Sequence, residues 1–171
     1  LLFLYNPNGI QFGSTSQVNV GGGLIASTLN ITNENFMAGH YALAQDPAFN
    51  PASILNQGDI HAGDGGIVAL IGSAISNEGT ITAEGGSVVL GAGSTATIAL
   101  DGVGLISAEV TGKIEAPVYG SNGNKINDAL SNSGTIHAIG GKVILTAQAA
   151  EEIFDNVINH SGIIEANTLQ E

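Results

Sequence analysis

The strongest constraint on this chain is an internal repeat of about 21 residues. ILNQGDIHAGDGGIVALIGSA (54–74) runs directly into ISNEGTITAEGGSVVLGAGST (75–95), and LSNSGTIHAIGGKVILTAQAA (130–150) is a third copy. A shorter fourth copy, NHSGIIEA, occupies 159–166. Gly58 and Gly79 stand 21 residues apart, and Gly66 and Gly86 stand 20 apart. A period of this size means one supersecondary unit per repeat, stacked so that neighbours bury what a single unit cannot.

Within a unit the apolar residues alternate. Ile60 and Ala62, Ile81 and Ala83, and Ile136 and Ala138 share one short run; Val68 and Leu70, Val88 and Leu90, and Val143 and Leu145 share the next. Period two over short runs bounded by Gly and Asn is a strand pattern. With a third short apolar piece (Ile71 to Ile75 in the first copy), the unit makes one triangular turn of a parallel β-helix. A leucine-rich repeat is the rival, and its longer leucine pattern is absent. Equivalent residues then lie above one another at roughly the inter-strand spacing of 4.8 Å. Ile60, Ile81, Ile136 and Ile164 form one inward column; Val68, Val88 and Val143 form a second, and Leu70, Leu90 and Leu145 a third. Asn56, Asn77 and Asn132 make a ladder at a corner, where stacked amides satisfy one another.

The expected architecture is all-β: one three-faced solenoid over residues 1–171, with a short helix and loop insertions. The 25 glycines fit the tight corners that every coil needs. Fifteen acids against three lysines give a formal net charge of −12, which disfavours nucleic acid and anionic headgroups as partners. Cysteine is absent, so no disulfide framework is available. No apolar run is long enough for a membrane-spanning helix.

Leu1–Tyr5, Ile10–Phe12, Val18–Val20 and Leu24–Ala26 read as short strands. The turn Asn6-Pro7-Asn8-Gly9 separates the first two, with Pro presetting φ and Asn and Gly tolerating positive φ. Thr32 is placed to cap a single helical turn through Met37, ended by Gly39, and Tyr41–Ala44 reads as a strand. Gly79 and Gly134 are 55 residues apart, which fits two periods plus about a dozen residues. Thr97–Ile114 is therefore expected to supply one more coil, and 116–128 a mobile loop. Ala149, Ala150, Ile153, Phe154 and Val157 recur at helical spacing, which predicts a short helix packed on the solenoid. Ala69, Val89 and Ile144 are apolar on the outward parity of their strands and call for a covering hairpin or helix, or else form a contact surface.

Read in order, FLYNPNGIQFG, VNVGG, LIASTLNI, NENFMAG, GGIVALIG, GTITAEGGSVVLGAG, DGVGLIS and GGKVILTAQAAEEIFDNVINHSGIIEA resemble the N-terminal secretion (haemagglutination-activity) domain of filamentous haemagglutinin-type exoproteins of two-partner secretion. VNVGGGL carries one glycine more than that family's pattern, and 116–130 departs from it. The resemblance implies a right-handed parallel β-helix that serves as secretion signal and folding template, most often of a large surface adhesin. It implies a secreted or cell-surface location in a Gram-negative bacterium and an outer-membrane β-barrel transporter as partner. Host-cell or matrix glycans would be met through the rest of the exoprotein. By the same resemblance, Asn6, Pro7, Asn8, Gly9 and Ile10 are the transporter-recognition motif. The family's domain starts with a cap and a second Asn-Pro-Asn turn upstream, so this chain is expected to be a fragment without its cap.

The residues also bear on other function classes. A polysaccharide-active β-helix stacks carboxylates on one outer face, whereas here Asp59 shares its slot with Thr80 and Thr135, and Thr82 separates His61 from His137. Asp64-Gly65-Gly66 lacks the nine-residue period of a calcium repeat, and His40, His61, His137 and His160 are too scattered for zinc. No metal, cofactor or catalytic residue is therefore expected. A free-standing β-helical module that binds a carbohydrate or receptor is the alternative to the secretion domain.

Overall fold

The computed structural model describes residues 1–102 and 104–167; Val103, inside the DGVGLIS motif, and 168–171 lie outside the described residues. The backbone winds through five coils of three strands each, and equivalent strands stack in parallel into three walls. Coil one holds β1 (Leu2–Tyr5), β2 (Ile10–Phe12) and β3 (Gln17–Val20). Coil two opens with β4 (Gly23–Ser27), leaves the solenoid for α1 (Asn33–Met37) and β5 (Tyr41–Ala44), and returns as β6 (Ser53–Asn56) and β7 (Asp59–Ala62). Coil three is β8 (Ile67–Gly72), β9 (Ala74–Asn77) and β10 (Thr80–Thr82). Coil four begins with β11 (Ser87–Ala92), departs for β12 (Thr95–Leu100) and β13 (Leu105–Gly112), and resumes at β14 (Asp128–Asn132) and β15 (Thr135–His137). Coil five is β16 (Lys142–Ala147), β17 (Asn156–His160) and β18 (Ile163–Glu165). The first wall is β1-β4-β8-β11-β16, the second β2-β6-β9-β14-β17 and the third β3-β7-β10-β15-β18.

Register follows the repeat. Ile60, Ile81, Ile136 and Ile164 are successive partners along the third wall, with Val18 beneath them. Val68, Val88 and Val143 stack on the first wall above Leu24, and Leu70, Leu90 and Leu145 above Ala26. These side chains fill one continuous interior. In the last coil Val143, Leu145 and Ile164 are only half-buried.

The corner between the second and third walls explains why the repeat is spelled with Asn and Gly. Asn56 Nδ2 donates to Asn77 Oδ1 at 2.8 Å, and Asn77 Nδ2 donates to Asn132 Oδ1 at 2.7 Å. Asn132 Nδ2 then meets His160 Nδ1 at 3.1 Å. The main chain repeats the arrangement: the carbonyl of Asn56 accepts from the N–H groups of Glu78 and Gly79, that of Asn77 from Ser133 and Gly134, and that of Asn132 from Ser161 and Gly162. Coils approach so closely here that a Cβ on Gly79 would overlap the carbonyl oxygen of Gly58, and one on Gly134 that of Gly79. Glycine is required by contact at these positions.

A second core lies outside the solenoid. β5, β12 and β13 form a three-stranded antiparallel sheet. It covers the outward residues Ile25, Ala69, Val89 and Ile144 of the first wall with Leu43, Ala96, Ile98 and Val110. The apolar outward column is thus roofed by a hairpin with one added strand. Phe3, Phe36 and Tyr41 close the end of this layer, with ring centroids 5.7 to 6.4 Å apart. α1 is the capped turn expected at Thr32, whose side chain accepts from the Asn35 N–H, and Gly39 ends it at a φ of 71°.

Four expectations are corrected. The third strand of the repeat is Ala74–Asn77, displaced along the chain from Ile71–Ile75, because Ile71 still belongs to the long strand β8. Thr97–Ile114 is no coil. At Asp101–Gly104 the chain reverses, with the Gly104 N–H on Asp101 Oδ1 at 2.9 Å and the Asp101 N–H on the Gly104 carbonyl at 3.0 Å. The two strands so joined pair with each other and not with the walls. The helix expected over Ala149–Val157 is an irregular corner: Glu151 and Glu152 turn, Glu152 at a φ of 66°, and β17 already starts at Asn156. Hydrogen bonds from the Ile114 N–H to the Gln148 carbonyl and from the Ala150 N–H to the Ile114 carbonyl hold 148–150 extended before the turn. Finally, the loop expected at 116–128 is a hydrogen-bonded hairpin, described below.

Asn77→Ala removes the middle rung of the amide ladder and leaves buried partners on both sides short of a hydrogen bond. It is expected to destabilise the domain by about 2–3 kcal/mol, read as a lowered midpoint in urea unfolding; a change under about half a kcal/mol would mean that the ladder is dispensable.

Candidate functional site

The turn Asn6-Pro7-Asn8-Gly9 links the first wall to the second within coil one. The Asn6 N–H closes the last rung between the first two coils by donating to the Ser27 carbonyl at 3.0 Å. Asn6 Oδ1 accepts from the Asn8 N–H at 3.0 Å, and the Asn6 carbonyl accepts from the Gly9 N–H at 3.3 Å. The asparagine side chain thus folds its own turn, which frees Asn8 to stand exposed. Gly9 has a φ of 110°, a conformation that L side chains rarely adopt. Ile10 then turns inward and pairs with Ile54. Beside the turn, burial and secondly the Asp46 carboxylate push the Tyr5 phenol above its usual range, so it is neutral at physiological pH.

A groove of about 490 Å³ opens on the outer face of the second wall next to this turn. Asn8, Gly9, Ile10 and Gln11 border it at one end, Leu55, Ser76 and Ser131 lie along its floor, and residues 119–122 and 124–128 form its far side. That far side is a hairpin within 115–127. Tyr119 and Lys125 bridge antiparallel, the Gly120 N–H donates to the Asn124 carbonyl at 3.0 Å, and the Ile126 N–H donates to the Val118 carbonyl at 2.9 Å. Its root is buried: Ile114 is 2% and Val118 0% exposed, both in the inner core. Its tip reaches coil one, where Ser121 Oγ donates to Gln11 Oε1 at 3.2 Å. Gln11 continues a file of side chains across three coils, with Gln11 Nε2 on Gln57 Oε1 at 3.2 Å and Gln57 Nε2 on Glu78 Oε2 at 3.0 Å.

A sequence profile of the TPS (two-partner secretion) secretion domain matches residues 1–171. The chain belongs to the TPS secretion domain family. The crystal structure of the HMW1 secretion domain from Haemophilus influenzae is similar to it, with a TM-score of 0.66 and 32% sequence identity. That alignment covers 96% of the present chain and 44% of the other, so the chain spans less than half the length of that relative. A comparison with curated protein sequences finds no match.

In this TPS domain the five motif residues Asn6–Ile10 sit together at one corner, whereas the inward columns and the amide ladder run the length of the solenoid and carry its packing. His61, Thr82 and His137 share an outward file on the third wall, and His137 Nδ1 lies 2.7 Å from Glu165 Oε2. Asp59 pairs with Thr80, and Thr80 with Thr135. Among the described residues no cluster of three His, Asp or Glu is arranged to hold a metal ion, and no helix is long and apolar enough to cross a membrane. Two parts of the site escaped the sequence reading. Gln57 and Glu78 follow the ladder asparagines by one residue in successive repeats, a signal that was present. The approach of Ser121 to Gln11 across 110 residues had no counterpart in the repeat.

Gly9→Ala places a side chain at a positive φ with its Cβ 3.2 Å from the Ser53 carbonyl oxygen. The strain is expected to cost about 2 kcal/mol and to lower the thermal midpoint, with the far-UV spectrum unchanged; a midpoint equal to wild type would show that the turn relaxes freely.

Proposed function

We propose that this TPS domain is the export signal and folding template of a larger exoprotein, a surface adhesin, secreted by a Gram-negative bacterium. Its partner is an outer-membrane β-barrel transporter with periplasmic receptor domains, which reads Asn6–Ile10. Family membership supports the secretion role. The observation that carries the recognition role is the self-folded Asn6–Gly9 turn, which follows the last rung between the first two coils and presents Asn8 to solvent.

The template role follows from the order of pairing. Each wall strand lies in parallel on the equivalent strand of the preceding coil, so a chain leaving the transporter N-terminus first adds every new strand to an existing edge. Each aliphatic side chain buried contributes roughly 2 kcal/mol, and that stepwise gain biases outward movement without nucleotide hydrolysis. Residues 1–171 are read as a single β-helix domain, and Leu2 and Leu4 are exposed on β1, the edge strand of its first wall. We read the domain as non-catalytic, because the outward file at Asp59 continues with threonines; host glycans would be contacted by the rest of the exoprotein. The polar groove favours, as a second reading, a module that binds carbohydrate itself, for which glycan-array binding by the isolated domain is the discriminating assay.

Asn6→Ala with Asn8→Ala is expected to reduce transporter-dependent secretion at least tenfold while the purified domain keeps its β-sheet spectrum. Undiminished export of the doubly substituted protein would remove the motif from recognition.

A further inference from the structure

We propose that the groove between the second wall and the hairpin 115–127 binds a neutral oligosaccharide of about three pyranose units, with Tyr119 as stacking platform and Glu78 as hydroxyl acceptor. This rests on the second reading above, in which the domain itself binds carbohydrate, and it is separate from the export role. The floor of the groove is the outer face of a parallel sheet, where Gln11, Leu55, Ser76 and Ser131 are successive strand partners on coils one to four. Main-chain N–H and C=O groups there lie in the plane of the sheet and bond to neighbouring coils. An extended peptide laid on this floor therefore finds no backbone partners.

Side chains are what the groove presents. Ser131 Oγ donates to Ser76 Oγ at 2.9 Å, and Glu78 Oε2 accepts from Gln57 Nε2 at 3.0 Å. Both groups are thereby held in place, while the Ser76 hydroxyl proton and Glu78 Oε1 stay available to sugar hydroxyls. Asp128 is occupied, since its two oxygens accept from Asn156 Nδ2 at 2.8 Å and Asn159 Nδ2 at 3.0 Å. Tyr119 lines the groove from the hairpin, 56% exposed, on a backbone fixed by its bridge to Lys125. Such a ring covers the C–H face of a pyranose while its phenol keeps its contact with water.

Charge and dimensions narrow the class. Lys125 is the one cation lining the groove against two carboxylates, Glu78 and Asp128, and the chain carries a formal charge of −12, so uronate, sialyl or sulphate groups are repelled. Four coils at the inter-strand spacing make a floor about 14 Å long. A pyranose in an extended chain advances by one coil spacing, roughly 5 Å, so ligand and protein share a repeat. The far side of the groove also comes from the stretch 116–130, which departs from the family's pattern. Its chemistry is this chain's own and is not what the shared export role requires.

The folded domain is tested on a glycan array of neutral gluco-, galacto- and N-acetylglucosamine-type chains of increasing length beside sialylated and sulphated ones. The strongest neutral binder is then titrated by calorimetry. Affinity for neutral chains is expected to rise up to about three units and to level off beyond. Tyr119 and Glu78 are exposed, so their variants keep the far-UV spectrum of the wild type. Tyr119→Ala is expected to weaken binding at least tenfold and Glu78→Gln several-fold, with transporter-dependent secretion of both unchanged. Neutral-sugar binding that ignores both substitutions would overturn the groove and leave the carbohydrate reading in place. A preference for sialylated or sulphated chains would overturn the neutral assignment. Absence of binding to every chain on the array would sink the carbohydrate reading and this site with it.

Discussion

Everything in this molecule depends on how closely one coil can sit on the next at the asparagine–glycine corner. There the main chain must change direction while its carbonyl and N–H groups are being enclosed. An unpaired backbone group in such a place costs on the order of 1–3 kcal/mol. The structure meets this with a carbonyl that accepts two N–H groups from the coil above, used three times, and a side-chain amide that bonds to its counterpart, used twice. The glycine two residues on lets the backbones approach to that distance. An alanine would push the coils apart and an aliphatic residue in place of asparagine would leave the corner unpaired, so the repeat is conserved within the chain by contact geometry.

Once that spacing is set, the aliphatic columns follow, because residues at equal repeat positions must superpose. The inner core is then filled by Ile on the third wall and by Val and Leu on the first. The first wall differs from the others in being apolar on both faces, and its outer face needs a cover. The chain supplies it through two excursions: one inside coil two gives α1 and β5, and one inside coil four gives β12 and β13. The two excursions pair with each other, β5 on β12, which links coils two and four independently of the solenoid's own ladders. The second core is therefore a brace for the first.

The same excursion in coil four continues into the hairpin that crosses the second wall. In a solenoid each coil contacts chiefly its neighbours. Ser121 on Gln11, with roots at Gln148 and Asp155, provides a contact that skips the intermediate coils.

The sequence by itself determined the solenoid: its period, the inward columns, the Asn and Gly at the corner, the capped turn at Thr32 and the need for a cover over Ala69, Val89 and Ile144. These are legible because each is a local pattern repeated at fixed spacing, and stacking converts equal spacing into equal position. Where the repeat is interrupted, spacing stops carrying that information. The 55 residues between Asn77 and Asn132 suit two coils as well as one coil with a long excursion, and only the reversal at Asp101–Gly104 and the pairing with β5 decide for the excursion. Ala149, Ile153 and Val157 have helical spacing, yet Ile114, far away in sequence, claims the Gln148 carbonyl and the Ala150 N–H, and the chain then turns at Glu151 and Glu152. The groove beside Asn8 and the reach of Ser121 to Gln11 likewise belong to tertiary structure alone, because contacts between non-equivalent positions of distant coils leave no periodic trace.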